Sequence, residues 1–276
     1  MCKIGIKKVF ITGGSRGIGR GIALVLAKGG YDVAFTYNSK LDEAKSLAQE
    51  IEAMGRKCFY YQAAMELPEV PQKVTEEAIS DLGGIDLLVC NAGLTRHNSL
   101  LNLDVEQIDF VYNLNFRSYL LCSNVAARYM VKNEVKGNII FISSTRGIRA
   151  YPEDALYGGL KAALNRAAES MALEMSHYGI RVNCVAPGAT KVRGNNLDEE
   201  LSDNNFAKKI PAGRLGTTKE IGYLVEFIAS DKAQYITGVT IKIDGGLILP
   251  GMPEDKSAEA GYGWSKLPSH MIRDVL

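Results

Sequence analysis

Lys8-Val9-Phe10-Ile11-Thr12-Gly13-Gly14-Ser15-Arg16-Gly17-Ile18-Gly19 decides the architecture of this chain. Its first five residues form a short apolar run of strand character, and the glycines that follow end it. From Ile18 to Lys28 the pattern becomes helical. The glycines at 13, 17 and 19 have the spacing GxxxGxG rather than the GxGxxG of the commonest dinucleotide fingerprint, but the physics is shared. Glycines let the chain turn sharply and let backbone approach a pyrophosphate, whose charge then meets a helix N-terminus. A strand before and a helix after set this turn apart from a merely flexible loop.

Outward from this turn, strand-like and helix-like segments alternate. Strands are expected at Lys8–Thr12, Tyr31–Tyr37, Lys57–Ala63, Ile85–Cys90, Asn138–Ser143, Arg181–Ala186 and Thr240–Ile243. Helices are expected at Ile18–Lys28, Leu41–Met54, Val70–Leu82, Val105–Lys132, Tyr157–His177 and Lys219–Ala229. Apolar runs such as Ile85–Cys90 are of the kind buried on both faces of a parallel sheet. The alternation predicts an α/β fold, a Rossmann-type doubly wound parallel sheet of seven strands flanked by helices. No linker-like stretch interrupts it before residue 246, so residues 1–246 read as one domain containing both dinucleotide and substrate sites. Residues 247–276 differ in texture, with Pro250, Pro253, Pro268 and the only tryptophan, Trp264. Their apolar content predicts docking on a neighbouring subunit rather than a loose tail.

Composition narrows the function. With 32 basic and 31 acidic side chains in 276 residues, the net charge of +1 predicts no general attraction to nucleic acid or anionic membrane. No apolar run approaches the ~20 residues of a membrane span. Five scattered cysteines without a CxxC fit a reducing cytoplasm better than a disulfide framework. The three histidines, His97, His177 and His270, lack metal-ligand spacing, so no metal site is expected.

Tyr157 and Lys161 stand four residues apart in a helical stretch, and so on one face. A free tyrosine titrates near ~10, and bringing it to about 7 needs roughly 4 kcal/mol of preference for the phenolate. A cation at ~4–5 Å supplies about that much at an effective dielectric near 20. The pair is expected to form an acid/base poised near neutrality.

The glycine turn, Asn91-Ala92-Gly93 after the fourth strand and the Tyr157/Lys161 spacing together resemble the short-chain dehydrogenase/reductase family over about residues 5–246. The texture, including Lys136-Gly137-Asn138 and Ile210-Pro211, is similar to bacterial glucose 1-dehydrogenases and 3-oxoacyl-carrier-protein reductases. The resemblance implies hydride transfer between a nicotinamide and a ketone or secondary alcohol. It also implies a tetrad of Asn115, Ser144, Tyr157 and Lys161. Tyr157 passes the proton, Lys161 lowers its pKa and holds the nicotinamide ribose, Ser144 binds the substrate oxygen, and Asn115 holds a water that relays protons to Lys161. Asn113 competes with Asn115, and Ser143 with Ser144; flanking pattern favours Asn115, and the thirteen-residue offset to Tyr157 favours Ser144.

The cofactor residues implied are Gly13, Ser15, Arg16, Gly17, Ile18, Gly19, Asn38, Ser39, Met65, Asn91, Ala92, Gly93, Tyr157, Lys161, Pro187, Gly188 and Thr190, although Asn91 has a structural alternative as an anchor of the sheet edge. The second strand ends Tyr37-Asn38-Ser39-Lys40, with no carboxylate before Asp42. An acidic residue there would pair with a free ribose 2′-hydroxyl, so its absence and the presence of Arg16 favour NADP(H) over NAD(H). Ala64 stands where the family usually carries an Asp facing the adenine amino group, which leaves apolar contact and backbone to hold that ring. Leu94 and Thr95 replace the acidic residue of the glucose enzymes, against sugar oxidation.

The substrate wall is expected from Thr95, Arg96, Arg146, Ile148, Tyr151 and the loop 189–212. Its two arginines suit a hydrophobic substrate with an anionic tail, an acyl thioester or a steroid acid, unless they pair with Glu153 or Asp154. A cofactor-sensing regulator and a purely structural subunit are the competing classes. Family analogy implies a homotetramer or homodimer packed through the helices at 105–132 and 157–177.

Overall fold

In β1 (Lys8–Ile11), Phe10 turns to one face of the sheet while Val9 and Ile11 turn to the other, and all three are fully buried. The same alternation runs through β4 (Leu87–Cys90), β5 (Asn138–Ile142) and β6 (Arg181–Pro187). Strands with apolar side chains on both faces need helices on both, and the chain supplies them. The computed structural model describes residues 6–192 and 207–249.

On one face lie α3 (Val70–Leu82), α5 (Ser118–Lys132) and α6 (Ala155–Met175), packed on Phe10, Leu88, Cys90, Phe141 and Cys184. On the other lie α1 (Gly17–Lys28), α2 (Leu41–Ala53) and α7 (Thr218–Ala229), packed on Val9, Ile11, Phe35, Val89 and Ile140. With β2 (Asp32–Tyr37), β3 (Cys58–Gln62) and β9 (Thr240–Ile243), the seven-stranded sheet has the order β3-β2-β1-β4-β5-β6-β9, every pair parallel. The expected single-domain, doubly wound fold is the one observed. Strand order reverses between β1 and β4, and ligands of such sheets bind outside the carboxyl ends of the strands at this point.

Two features depart from the sequence reading. The expected helix over 105–132 is broken into α4 (Val105–Tyr112) and α5 by one π-helical turn at Asn113–Arg117. The extra residue per turn rotates the side chains between them, a device frequent at functional sites. A second, two-stranded parallel sheet pairs β7 (Thr190–Lys191) with β8 (Gly216–Thr217), two stretches too short to show any periodicity. Leu247 is buried on the domain, while the expected subunit docking by the rest of the C-terminal extension, from 250 onward, lies outside the described residues.

Candidate active site

The glycine turn, Asn91-Ala92-Gly93, Ser144 and Pro187-Gly188 all lie at the carboxyl ends of their strands. The turn after β1 is fixed from both sides. Gly13 N–H donates to Thr36 Oγ1 and Gly14 N–H to the Thr36 carbonyl, both at 2.8 Å. From β4, the Asn91 carboxamide donates to the Thr12 carbonyl at 3.0 Å and the Gly13 carbonyl at 2.9 Å. The Asn91 side-chain donor is thus spent on anchoring the turn. Gly13 has φ 66°, a left-handed conformation, and a Cβ on Gly19 would stand 2.2 Å from the Gly13 carbonyl oxygen.

This turn suits a dinucleotide. Arg16 is the N-cap of α1 without a side-chain cap, and no acidic residue sits in the helix's first turn. The positive end of the helix dipole and its unshared N–H groups are therefore offered to an anion. Arg16 is exposed, as are Asn38, Ser39 and Lys40 at the end of β2, whose Thr36 holds the turn. Ser15 is buried within the turn and Ile18 half-buried beyond it. Met65 packs its side chain in the core, so only its backbone faces a nucleotide. At the end of β6, a Cβ on Gly188 would meet Asp244 Cβ at 2.5 Å, and Thr190 Oγ1 donates back to the Gly188 carbonyl at 3.3 Å. Ala92 is buried, its N–H donating to Thr12 Oγ1 at 2.9 Å.

Around the tyrosine the arrangement is tight. The hydroxyls of Thr95 and Ser144 both act on the Tyr157 phenol, each drawing its pKa down. Ser143, one residue earlier, donates to Asn165 Oδ1 at 2.6 Å, so its hydroxyl is engaged away from the phenol. Asn115 is fully buried in the π turn, whereas Asn113 is half-buried. The Asn115 carboxamide donates to the carbonyls of Leu94 (3.2 Å) and Val111 (3.1 Å), which leaves its Oδ1 a buried acceptor without a partner. Oδ1 stands 2.6 Å from where a Cβ on Gly93 would lie.

Lys161 does face Tyr157, as a cation–π contact, but its hydrogen-bond partners lie elsewhere. Both lie on α6, but Lys161 Nζ donates to the Ile142 carbonyl at 2.9 Å and to the Tyr119 hydroxyl at 3.4 Å. It lies 5.6 Å from the Tyr157 ring centroid. Burial pulls the Lys161 ammonium down to about 8. The Tyr157 phenol is raised above its ordinary value, because burial and the Asp154 carboxylate outweigh the hydrogen bonds from Thr95 and Ser144 and the charge of Arg146. The phenol is therefore protonated at neutral pH and is poised as a proton donor. The reason is physical: a buried ammonium without a carboxylate turns to the nearest carbonyl, and a β5 carbonyl is in reach.

The two arginines are also engaged. Arg96 sits over the Phe110 ring at 4.2 Å from its centroid. Arg146 stacks on Tyr151 at 4.7 Å and pairs with Asp154 at 3.1 Å. The anion-receiving wall expected from the sequence is thus replaced by guanidiniums that already have partners. Tyr119 is a neighbour of Lys161 that the sequence reading did not single out, and Asp154 entered it only as a possible partner of the arginines. Tyr119 follows Asn115 by four residues, but the π turn takes the two off a common face, while Asp154 caps α6 three residues before Tyr157. Among the described residues, no group of three or more metal-ligating side chains comes together. No helix there is long and apolar enough to cross a membrane.

A Rossmann-type sheet with a glycine turn at its switch point and a tyrosine, serine and lysine beside it defines a nicotinamide-dependent oxidoreductase. The family described as Enoyl-(Acyl carrier protein) reductase is matched over residues 13–248. The 3-oxoacyl-(acyl-carrier-protein) reductase FabG of Staphylococcus epidermidis is 36% identical over 244 residues, covering 88% of this chain and 99% of the relative. The acetoin dehydrogenase of Enterobacter cloacae superposes with TM-score 0.87 at 34% identity, over 92% of this chain and 100% of that one. A blue fluorescent protein from a metagenomic library, solved in complex with NADPH, superposes with TM-score 0.80 at 31% identity, over 88% and 98% of the two chains. The chain belongs to the short-chain dehydrogenase/reductase family and is an NAD(P)-dependent oxidoreductase. The sensor and structural-subunit readings are thereby set aside.

Proposed function

We propose that this protein is an NADP(H)-dependent reductase of ketones, with 3-oxoacyl thioesters as its leading substrate class. The observation that carries the reading is the placement of Tyr157 and Lys161 together on α6, the ammonium 5.6 Å from the phenol ring, beside the ends of β4 and β5. Tyr157 gives its proton to the carbonyl oxygen as negative charge develops there. Ser144 donates to that same oxygen, stabilising charge where it forms. Thr95 holds the phenol from the opposite loop. Lys161, near 8 in its titration, takes and returns protons close to physiological pH and offers its remaining donor capacity to the nicotinamide ribose. Asn115 holds the π turn on the Leu94 carbonyl and turns Oδ1 toward the relay. The bound nicotinamide supplies the hydride.

Arg16 and the carboxylate-free end of β2 support NADP(H), as does the likeness to a protein solved with NADPH. FabG supports the 3-oxoacyl thioester, and the pairing of Arg146 with Asp154 agrees, since a thioester carries no charge beside its ketone. We further propose assembly through α4–α5, supported by the exposed apolar side chains Leu101, Val105, Ile108 and Tyr112 at helical spacing.

Oxidation of NADPH and NADH should be followed with an acetoacetyl thioester and with acetoin. The expected result is faster turnover of the thioester with NADPH, and a loss of about 10³-fold in kcat for Tyr157→Phe with NADPH affinity retained. Preference for acetoin would transfer the reading to small hydroxyketones. Turnover undiminished in Tyr157→Phe would overturn the mechanism.

A further inference from the structure

Beside the site lies a buried carboxylate that the chemistry above leaves unused. Asp154 is 5% exposed, and neither of its side-chain oxygens has an aligned hydrogen bond. Its charge is met instead by the Arg146 guanidinium, with the His97 imidazole near by on another loop. Arg146 Nη1 stands 3.1 Å from Oδ2 and His97 Nδ1 stands 4.0 Å from Oδ1. A carboxylate so buried is tolerated only with such partners. The Asn98 N–H donates to the Glu153 carbonyl at 3.2 Å, which holds the Thr95-bearing loop against the same corner.

Arg146 has a commanding position. Its backbone N–H donates at 3.2 Å to Ser144 Oγ, the hydroxyl that also draws the Tyr157 pKa down. Its side chain is 32% exposed and lies over Tyr151. A guanidinium at such a place, unpaired, would receive a carboxylate or phosphate in bidentate fashion. Here Asp154 has taken that role from within the protein.

We propose that Asp154 is a selectivity residue: by occupying the guanidinium of Arg146 it denies the site an anion receptor and directs the enzyme to ketones that are uncharged near the reacting carbonyl. The proposal rests on the ketone-reductase reading and adds to it the sign of the substrate's charge. Its substitution by the isosteric amide leaves Arg146 in place and frees its charge.

The test compares kcat/KM for ethyl acetoacetate and for acetoacetate, an ester and its anion, with NADPH. Wild type should favour the ester, and Asp154→Asn should lower the ester-to-anion ratio at least tenfold. Adding Arg146→Met to that variant should restore the ratio. Any effect of the lost charge on the Tyr157 proton falls on both substrates alike and cancels in the ratio. A parallel titration of the NADPH complex with butyrate and butyramide, read by NADPH fluorescence, gives the same comparison without turnover. Asp154→Ser replaces the amide if the latter does not fold. A ratio that moves less than tenfold in both assays, or a shift that persists without Arg146, overturns the proposal. If wild type reduces neither ketone, the substrate reading fails and the butyrate-to-butyramide ratio alone decides the role of Asp154.

Discussion

Lys161 is a fully enclosed ammonium whose titration is drawn from 10.5 to about 8 by loss of water. The unfolded chain binds this proton more tightly than the folded one between those two values. Stability therefore rises as pH climbs through that window, and below about pH 8 the protein carries the whole penalty. Lys161→Met removes it. Relative to wild type, the variant should gain on the order of 3 kcal/mol less at pH 10.5 than at pH 7.5, because a pKa difference of this size is worth that much. Urea unfolding at several pH values reads the trend, and a constant difference would refute it. The same variant should lose activity, so stability and catalysis part company at one residue. Spacing alone brought Tyr157 and Lys161 to notice, but not the partners each takes. Those come from β5, α5 and the loop after β4, remote in sequence.

Among the elements, the π turn between α4 and α5 does most to shape the site. A regular helix from 105 to 132 would place Asn115 and Tyr119 on a continuous stripe. One wider turn instead buries Asn115 against the Leu94 carbonyl and leaves Tyr119 under Lys161. The match depends on Gly93, where a methyl group would stand 2.6 Å from Asn115 Oδ1. Because the Asn115 carboxamide is held by two carbonyls, it has little room to give. Gly93→Ala should cost about 1–3 kcal/mol of stability, as overpacking does, and lower kcat at least tenfold. Thermal unfolding and steady-state rates measure both. Wild-type activity in this variant would show that the Asn115 carboxamide does not need its present place. The helical periodicity of 105–132 is genuine on both sides of the bulge, and for that reason it conceals the extra residue.

At the scale of the whole molecule, the described residues include an apolar stripe on and just before α4. Leu101 is 92% exposed and Val105 73%, with Ile108 and Tyr112 continuing the line along α4. Monomeric proteins seldom leave such a stripe to water. A second copy of the chain packed there would cover it. Val105→Asp should then lower the assembly state seen by light scattering, with the fold retained by circular dichroism. An unchanged mass would place the interface elsewhere or dismiss it.

The doubly wound architecture, the glycine turn and the Tyr157/Lys161 spacing were all written in local pattern, and Ser144 was offered by the family resemblance. Strand periodicity, glycine spacing and helical offsets are properties of neighbours along the chain. What only the tertiary structure decided is how the charges are shared: Lys161 goes to a carbonyl, Arg146 to Asp154, and the Asn91 side-chain donor to the turn it braces. A buried charge takes the partner that packing brings within about 3–4 Å, whatever its distance in sequence. That choice is made by the meeting of β4, β5 and α6, which no window of the sequence contains.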